Sequence, residues 1–385
     1  MDLDGKSASA HYWSGMARDT YATPAAFYGA LKHKAQLLAR SEGTPVADVL
    51  SSYFFSRLVA RVFHVQPDAW IIKGGYALLV RYAAAARLSQ DIDIQRSTAG
   101  GIDEAVADLL KAATHDLDDY LRFTPTRTLM HQNGAAGAKQ VFRVHVGTHE
   151  VGVVKVDVVA GHAPMLTPDV HRIMPLIDLA WPTDWPEVGL YPIVNHLADK
   201  VCAMYERHNG APSTRYRDLA DILLISQREN IDGRYAQLAL RTEARRRRLA
   251  AVSGVELALP MRFQPPGPAW PDRFPAAVDQ VPGLAGCSTW TEAAAAAEAF
   301  LTPLLSPGPP PGDWSGANAS WQSRPEPSGL RLPVRYAQQA HEIAESARER
   351  AADAPTPPPR PGQKADPSRT YAPPPVSRPG PAPGR

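Results

Sequence analysis

The chain has 385 residues, 44% of them hydrophobic, with 41 Lys+Arg against 39 Asp+Glu and a net charge of +2. That is enough apolar material for one large or two average globular domains, and so even a charge balance excludes binding of nucleic acid by bulk charge, leaving only local basic surfaces. Two cysteines, Cys202 and Cys287, make no disulfide framework or zinc pattern, and no stretch reaches the ~20 apolar residues of a membrane span, so a soluble cytoplasmic protein without a membrane partner is expected.

Residues 1–24 read as an N-terminal extension with no basic start followed by an apolar run, so a signal peptide is not expected there. In "AAFYGALKHKAQLLAR" the residues Phe27, Leu31, Lys34/Ala35 and Leu38 recur at helical spacing, as do Val49, Leu50, Tyr53, Phe54, Leu58 and Val62 in "ADVLSSYFFSRLVARVF". Two amphipathic helices are therefore predicted before "WIIK", a short buried strand. Gly74-Gly75 then makes a tight turn, "YALLVRYAAAAR" a helix and "SQDIDIQ" a strand with alternating faces. The β-branched runs "QVFRVHV" and "VGVVKVDVVA", separated by "GTHE", suit an antiparallel hairpin.

From about Pro192 helices return in "VNHLADKVCAMYERH", "RYRDLADILLISQREN" and the basic "LALRTEARRRRLAAV", and a last one, "TEAAAAAEAFLTPLL", closes near Leu305. Helices, a mixed sheet and then helices make an α+β plan, with a first domain over 25–190 and a helical region over 191–305. Of 38 prolines, 19 fall in the last 80 residues, too many for helices or sheet ladders, so 306–385 is expected to be a disordered tail. Val334 to Ala354 is its one stretch of helix-forming composition.

On that frame Asp91 and Asp93 point to one side of a strand while Ile92 and Ile94 enter the core. Two carboxylates about 7 Å apart on one face repel unless a cation compensates them, and such hard oxygen donors suit Mg²⁺. The plainer reading is an edge strand with solvated aspartates. Asp157 weighs against it, because a carboxylate among the valines of "VVKVDVV" is costly unless compensated. Three carboxylates can hold two divalent ions in the arrangement that activates a hydroxyl and stabilises a leaving oxygen in phosphoryl transfer. Lys155, two residues before Asp157 on the same face, offers a structural ion pair instead. Gly74-Gly75, ending a strand and opening a helix, would either let a phosphate approach backbone N–H groups or serve only as a tight connection.

These residues resemble the AbiEii/AbiGii toxin family of nucleotidyltransferases, which is MenT-like and of polymerase-β type. In that family Lys-Gly-Gly-x-Ala-Leu leads to Arg-x-Ser-x-Asp-Ile-Asp, here Lys73, Gly74, Gly75, Ala77, Leu78, Arg87, Ser89, Asp91, Ile92 and Asp93. A later helical Lys and an Arg-Asp-Leu-x-Asp segment correspond to Lys200, Arg217, Asp218 and Asp221, and the similarity spans roughly 25–305. The resemblance implies a polymerase-β-like nucleotidyltransferase core with a helical C-terminal region. It also implies transfer of a nucleoside monophosphate from NTP to an acceptor with Mg²⁺, two ions being expected. The acceptor it suggests is RNA, a tRNA 3′ end above all, and the partner is a cognate AbiEi-like antitoxin encoded alongside.

By position, Asp91, Asp93 and Asp157 would bind metal, with Asp157 also the base. Lys200 would hold phosphates, and Lys73, Gly74, Gly75, Arg87, Ser89, Arg217, Asp218 and Asp221 would line the nucleotide site. Asp218 and Asp221 lie at i, i+3 with Arg217 reaching Asp221 at i+4, which suits a structural brace as well as a catalytic role. Tyr76 departs from the Ser or Thr many members place after the glycines; it either stacks on a base or packs. Arg241, Arg245 and Arg248 share a helical face that suits an RNA backbone, an acidic antitoxin surface or plain solvation. The alternatives to an RNA-directed enzyme are a nucleotidyltransferase acting on a protein or small molecule, and a non-catalytic nucleotide- or partner-binding scaffold.

Overall fold

The computed structural model describes residues 21–131, 137–161, 164, 166–179, 181–182 and 184–324. Helix α1 (Pro24–Glu42) starts where Thr23 accepts a hydrogen bond from the Ala26 amide at 3.1 Å and stops at Gly43, whose φ of +64° only glycine adopts without strain. It buries Phe27, Leu31, Ala35 and Ala39, whereas Lys34 is exposed and Leu38 half-buried.

Helix α2 (Val46–Val65) buries every residue predicted for its apolar face and nearly everything else besides. Its Arg57 and Arg61 are fully buried and share one partner: Arg57 Nε donates to Asp119 Oδ2 at 2.7 Å and Arg61 Nη1 to the same oxygen at 2.9 Å. Burial alone would raise the Asp119 carboxyl, but the two guanidinium groups hold it below its ordinary value. A charge cluster of this kind has no sequence signature, since its members lie about sixty residues apart.

The strands are β1 (Trp70–Lys73), β2 (Ile92–Arg96), β3 (Leu121–Met130), β4 (Gly137–Val146), β5 (His149–Val159), β6 (Asp169–Arg172) and β7 (Glu187–Leu190). They form one mixed sheet in the order β3-β4-β5-β2-β1-β7-β6. Helix α3 (Gly74–Tyr82), with the 3₁₀ turn Ala83–Ala85, joins β1 to β2, and α4 (Ile102–Ala113) follows β2. β4 and β5 make the predicted hairpin, turning at Gly147 with φ +57°, and a bulge between Val144 and His145 shifts their register by one residue.

The helical region comprises α5 (Ile193–Tyr205), α6 (Tyr216–Arg228), α7 (Gly233–Ala250), the short α8 (Trp270–Arg273) and α9 (Pro275–Val278), and α10 (Trp290–Leu305). A small ribbon of β8 (Glu206–His208) and β9 (Val255–Leu257) sits among them. α10 opens on a capping box between Thr289 and Glu292. Both cysteines are free and buried. No described helix is long and apolar enough to cross a membrane.

Order does not stop at Leu305, as proline content suggests it should. The strands β10 (Gly312–Ser315) and β11 (Ser320–Ser323) form a hairpin whose Trp314 is 3% exposed and donates its indole N–H to the Ser226 carbonyl at 2.7 Å. Trp314 and Trp321 both pack on Phe300 of α10. Two indoles bury enough apolar surface to anchor a segment whose average composition is that of a linker. The helix expected at 334–354 lies outside the described residues.

Candidate active site

Sheet register assembles the site. Asp93 on β2 pairs with Lys73 on β1 and with Asp157 on β5, and Asp157 pairs with Lys139 on β4. Directly paired residues share a face, so four adjacent strands present the row Lys73, Asp93, Asp157, Lys139, each about 5 Å from the next along the backbone. Asp91, two residues before Asp93, adds a carboxylate just outside the strand. The Asp-x-Asp pair therefore lies on interior strands next to β5, not on an exposed edge.

The electrostatics follow from this crowding. Burial, and then the charges of Asp91 and Asp157, push the Asp93 carboxyl up to about 7. Burial and Asp157 raise Asp91 as well. Asp157 is compensated by Lys139, whose Nζ lies 3.0 Å from Oδ2, and by His131, whose Nε2 lies 3.4 Å from Oδ1. Lys155, the partner suggested by spacing, is exposed and acts on the site only at a distance. With Asp157 so engaged, no three acidic, His or Cys side chains among the described residues form a closed ion-holding cluster.

Gly74 and Asp93 are one device. Gly74 has φ +62°, and a Cβ there would overlap the Asp93 carboxylate, so the carboxylate occupies the space the missing side chain leaves at the start of α3. Gly75 is confined in the same way, since its Cβ would meet Ser89 Oγ at 3.0 Å and Arg87 Nη2 at 3.1 Å. Ser89 is buried and donates to the Asp91 carbonyl at 2.8 Å, which fixes the bend before β2. Tyr76 faces away from the cavity: it is 1% exposed, meets Phe55 edge-on and donates to Ser56 Oγ at 2.9 Å. Tyr76→Phe is accordingly expected to cost about 0.5–1.5 kcal/mol in urea denaturation and to leave kcat and KM for nucleotide unchanged.

A second wall comes from α5 and α6. Lys200 Nζ donates to Asp218 Oδ1 at 2.9 Å and Asp221 Oδ2 at 2.7 Å, while Arg87 grips Asp221 in bidentate fashion at 3.1 and 2.9 Å. Burial disfavours the Lys200 ammonium, but the two carboxylates outweigh it and raise its pKa, so the lysine stays charged. Asp218 and Asp221 therefore brace Lys200 and Arg87. Arg217 does not reach Asp221, whose oxygens are taken; it is exposed and lines the cavity with no hydrogen-bond or ion-pair partner among the described residues.

Lys73 belongs to the Lys-Gly-Gly motif, whereas other lining residues have little or no signature in the sequence. Lys73 holds its ammonium 4.2 Å over the Tyr191 ring. Asp199 is bound by Arg247 at 2.6 Å; burial opposes its ionisation, but Lys73 and Arg247 hold its carboxyl well below the usual range. Burial and the Lys200 charge keep His196 neutral at about 3. Asp199 borders Lys200 in sequence, a weak signal at best, and nothing local points to Arg247.

The cavity measures about 530 Å³; Asp91, Asp93 and Asp157 line it from the sheet beside Lys73 and Lys139, and Lys200, Arg215 and Arg217 line it from the helical region. Two further hollows adjoin it through Arg87 and Arg217. The basic run of α7 is largely engaged: Arg241 donates to the Ser306 and Pro307 carbonyls, Arg246 and Arg247 bind Glu243, and Arg248 donates to the Leu257 carbonyl, leaving Arg245 exposed.

Residues 57–298 match the profile of the family described as "Nucleotidyl transferase AbiEii toxin, Type IV TA system". No curated protein matches the chain. Among solved structures it is similar to the nucleotidyltransferase toxin MenT4 of Mycobacterium tuberculosis H37Rv, at 17% identity and a TM-score of 0.43 over 68% of this chain and 93% of that one. It is also similar to JHP933 of Helicobacter pylori, at 14% identity and a TM-score of 0.33 over 52% and 76%. With nearly two thirds of its length inside the family profile, the chain belongs to the AbiEii family of nucleotidyltransferase toxins.

Proposed function

We propose that this nucleotidyltransferase moves a nucleoside monophosphate from NTP onto an RNA acceptor, a tRNA 3′ end, in a Mg²⁺-dependent reaction in the cytoplasm. A cognate AbiEi-like antitoxin would oppose it. The observation that carries the reading is one sheet face bearing three carboxylates opposite a wall of lysine and arginine in a single cavity. We also read 25–190 as the nucleotidyltransferase domain and 191–305 as a helical region that supplies the cationic wall.

The donor set fits a hard divalent cation. The Asp91 carboxyl is raised by burial and the Asp157 charge and the Asp93 carboxyl by burial and the charges of Asp91 and Asp157, so the fold holds negative charge close together, and no ammonium among the described residues forms an ion pair with either of them. Asp91, Asp93 and Asp157 would hold the Mg²⁺ ions, which supply Lewis-acid activation of the attacking hydroxyl and charge neutralisation at the leaving oxygen.

The chain's own groups do the rest. Lys200 spends two of its three N–H donors on Asp218 and Asp221, and the third is left for a phosphate oxygen. Lys73, whose ammonium meets a ring face, and the exposed Arg217 add donors to the same triphosphate. Asp157 takes the proton of the acceptor hydroxyl while Lys139 and His131 orient its carboxylate. Gly74 keeps the Asp93 carboxylate and the start of α3 within reach of one phosphate group.

The test incubates purified protein with Mg²⁺, each labelled NTP in turn and total tRNA, beside Asp91→Ala. Label on tRNA with wild type and none with the variant is expected. Equal labelling by both, or no labelled RNA under any NTP, would overturn the reading, and label on the protein or on a small molecule would move it to that acceptor.

A further inference from the structure

We infer that the acceptor strand enters along the groove between α6 and the α8–α9 segment, with its backbone phosphates on Arg215 and Arg273 and its end at Arg217, which stands at the junction with the triphosphate site. The inference rests on the RNA-acceptor reading above and adds where the strand runs. The groove measures about 430 Å³ and shares Arg87, Arg215, Arg217 and Asp218 with the catalytic cavity, so it is a direct continuation of it.

Charge selects this route over the other adjoining hollow. That hollow, of about 360 Å³, is walled by Leu38, Val49 and Leu79 and carries the carboxylates of Glu42, Asp48 and Asp279, which repel a phosphate backbone. Among the described residues that line it, the groove carries one carboxylate, Asp218, and that one is spent on Lys200 and Arg215. Its cations are available. The side chains of Arg217 and Arg273, both exposed residues, make no hydrogen bond or ion pair among the described residues, and the Arg215 side chain, 60% exposed, has one long contact of 3.4 Å. Ala276 and Ala277 keep the opposite wall low.

The α7 run offers the opposite case. It looks basic in sequence, yet four of its five arginines are committed to carboxylates or carbonyls of their own chain. With a net charge of +2, attraction for a polyanion has to come from unpaired local cations, and the groove brings two exposed ones, Arg217 and Arg273, together beside the cavity. Transfer to a terminal hydroxyl also needs an unpaired end, which suits a groove for a single strand rather than a duplex.

The test measures anisotropy of a labelled single-stranded oligoribonucleotide bound to the full chain across a salt series, for wild type, Arg273→Ala, Arg273→Glu and Arg245→Glu, and measures KM for NTP in parallel. Arg273→Glu is expected to weaken oligonucleotide binding about tenfold or more and to flatten the salt slope by about 0.7 for each phosphate no longer neutralised, with Arg273→Ala intermediate. Arg245→Glu should bind as wild type, and KM for NTP should stay unchanged in all three. Oligonucleotide binding unaffected by Arg273→Glu, or weakened equally by Arg245→Glu, overturns the groove while leaving the RNA reading standing. Failure of the wild type to bind RNA at all overturns both.

Discussion

Asp93→Asn is expected to reduce nucleotidyl transfer by about 10²–10³-fold or more, the scale for removing a group that manages charge at the reacting centre, and at the same time to stabilise the metal-free protein at pH 8. The two effects have one cause. A carboxyl raised from an ordinary 3.8 to about 7 retains a proton in the folded state that the unfolded chain has already released. Stability is therefore fully present below about pH 4 and is lost as pH rises through about 7. The asparagine has nothing to titrate, so the variant should lack this slope and exceed the wild type at pH 8 by roughly 2–4 kcal/mol in urea denaturation with chelator present. Added Mg²⁺ should then raise the wild-type melting temperature more than that of the variant, because an ion bound only by the folded state stabilises by mass action. Equal midpoints and equal pH slopes for both proteins would show that no repulsion is stored at Asp93.

Asp221→Asn is expected to be inactive for a different reason and to be destabilised by about 3–5 kcal/mol, the cost of leaving buried charge without its partner. Asp221 is 1% exposed and binds both Arg87 and Lys200, so the substitution leaves the half-buried Arg87 without a carboxylate and the buried Lys200 with Asp218 alone. Burial alone would raise the Asp221 carboxyl, but Lys200 and Arg87 depress it. Its contribution is thus present above the ordinary value near 4 and is lost as pH falls through the lowered folded value, opposite in sign to that of Asp93. Asp218→Asn should be milder, since Lys200 keeps Asp221 and the other partner of Asp218, Arg215, is a long contact of 3.4 Å on an exposed side chain. Opposite effects on stability at Asp93, which lines the cavity, and Asp221, buried behind its lysine and arginine lining, separate a charge store from a brace. A variant Asp221→Asn as stable as the wild type would remove the brace.

Much of the first wall is legible in the chain. Period-2 alternation shows that Asp91 and Asp93 share a face, the valines around Asp157 mark a strand that enters the core, and the glycines before α3 mark a close approach. The approach is to Asp93 itself, which no local pattern can tell. The helices α1 and α2 follow from their apolar spacing, though not the Arg57–Arg61–Asp119 cluster that ties α2 to a distant loop. Composition reads the chain after Leu305 as linker, because an average over prolines hides two tryptophans that dock on Phe300.

The order of amino acids alone settles local matters: which residues are strand or helix, and which carboxylates point together, because side-chain direction repeats every 2 or 3.6 residues along one segment. Pairing between segments is settled only in the folded chain. A regular hairpin turning at Gly147 would set Ala138 opposite Asp157; the bulge at Val144/His145 slips the register by one and sets Lys139 there instead, turning every side chain beyond it to the other face. The same holds for Arg217, which spacing aims at Asp221 although Lys200 and Arg87 from other elements fill that carboxylate. Charges choose partners across space, and the competition is won by whichever cation the fold brings nearest in the lowest dielectric.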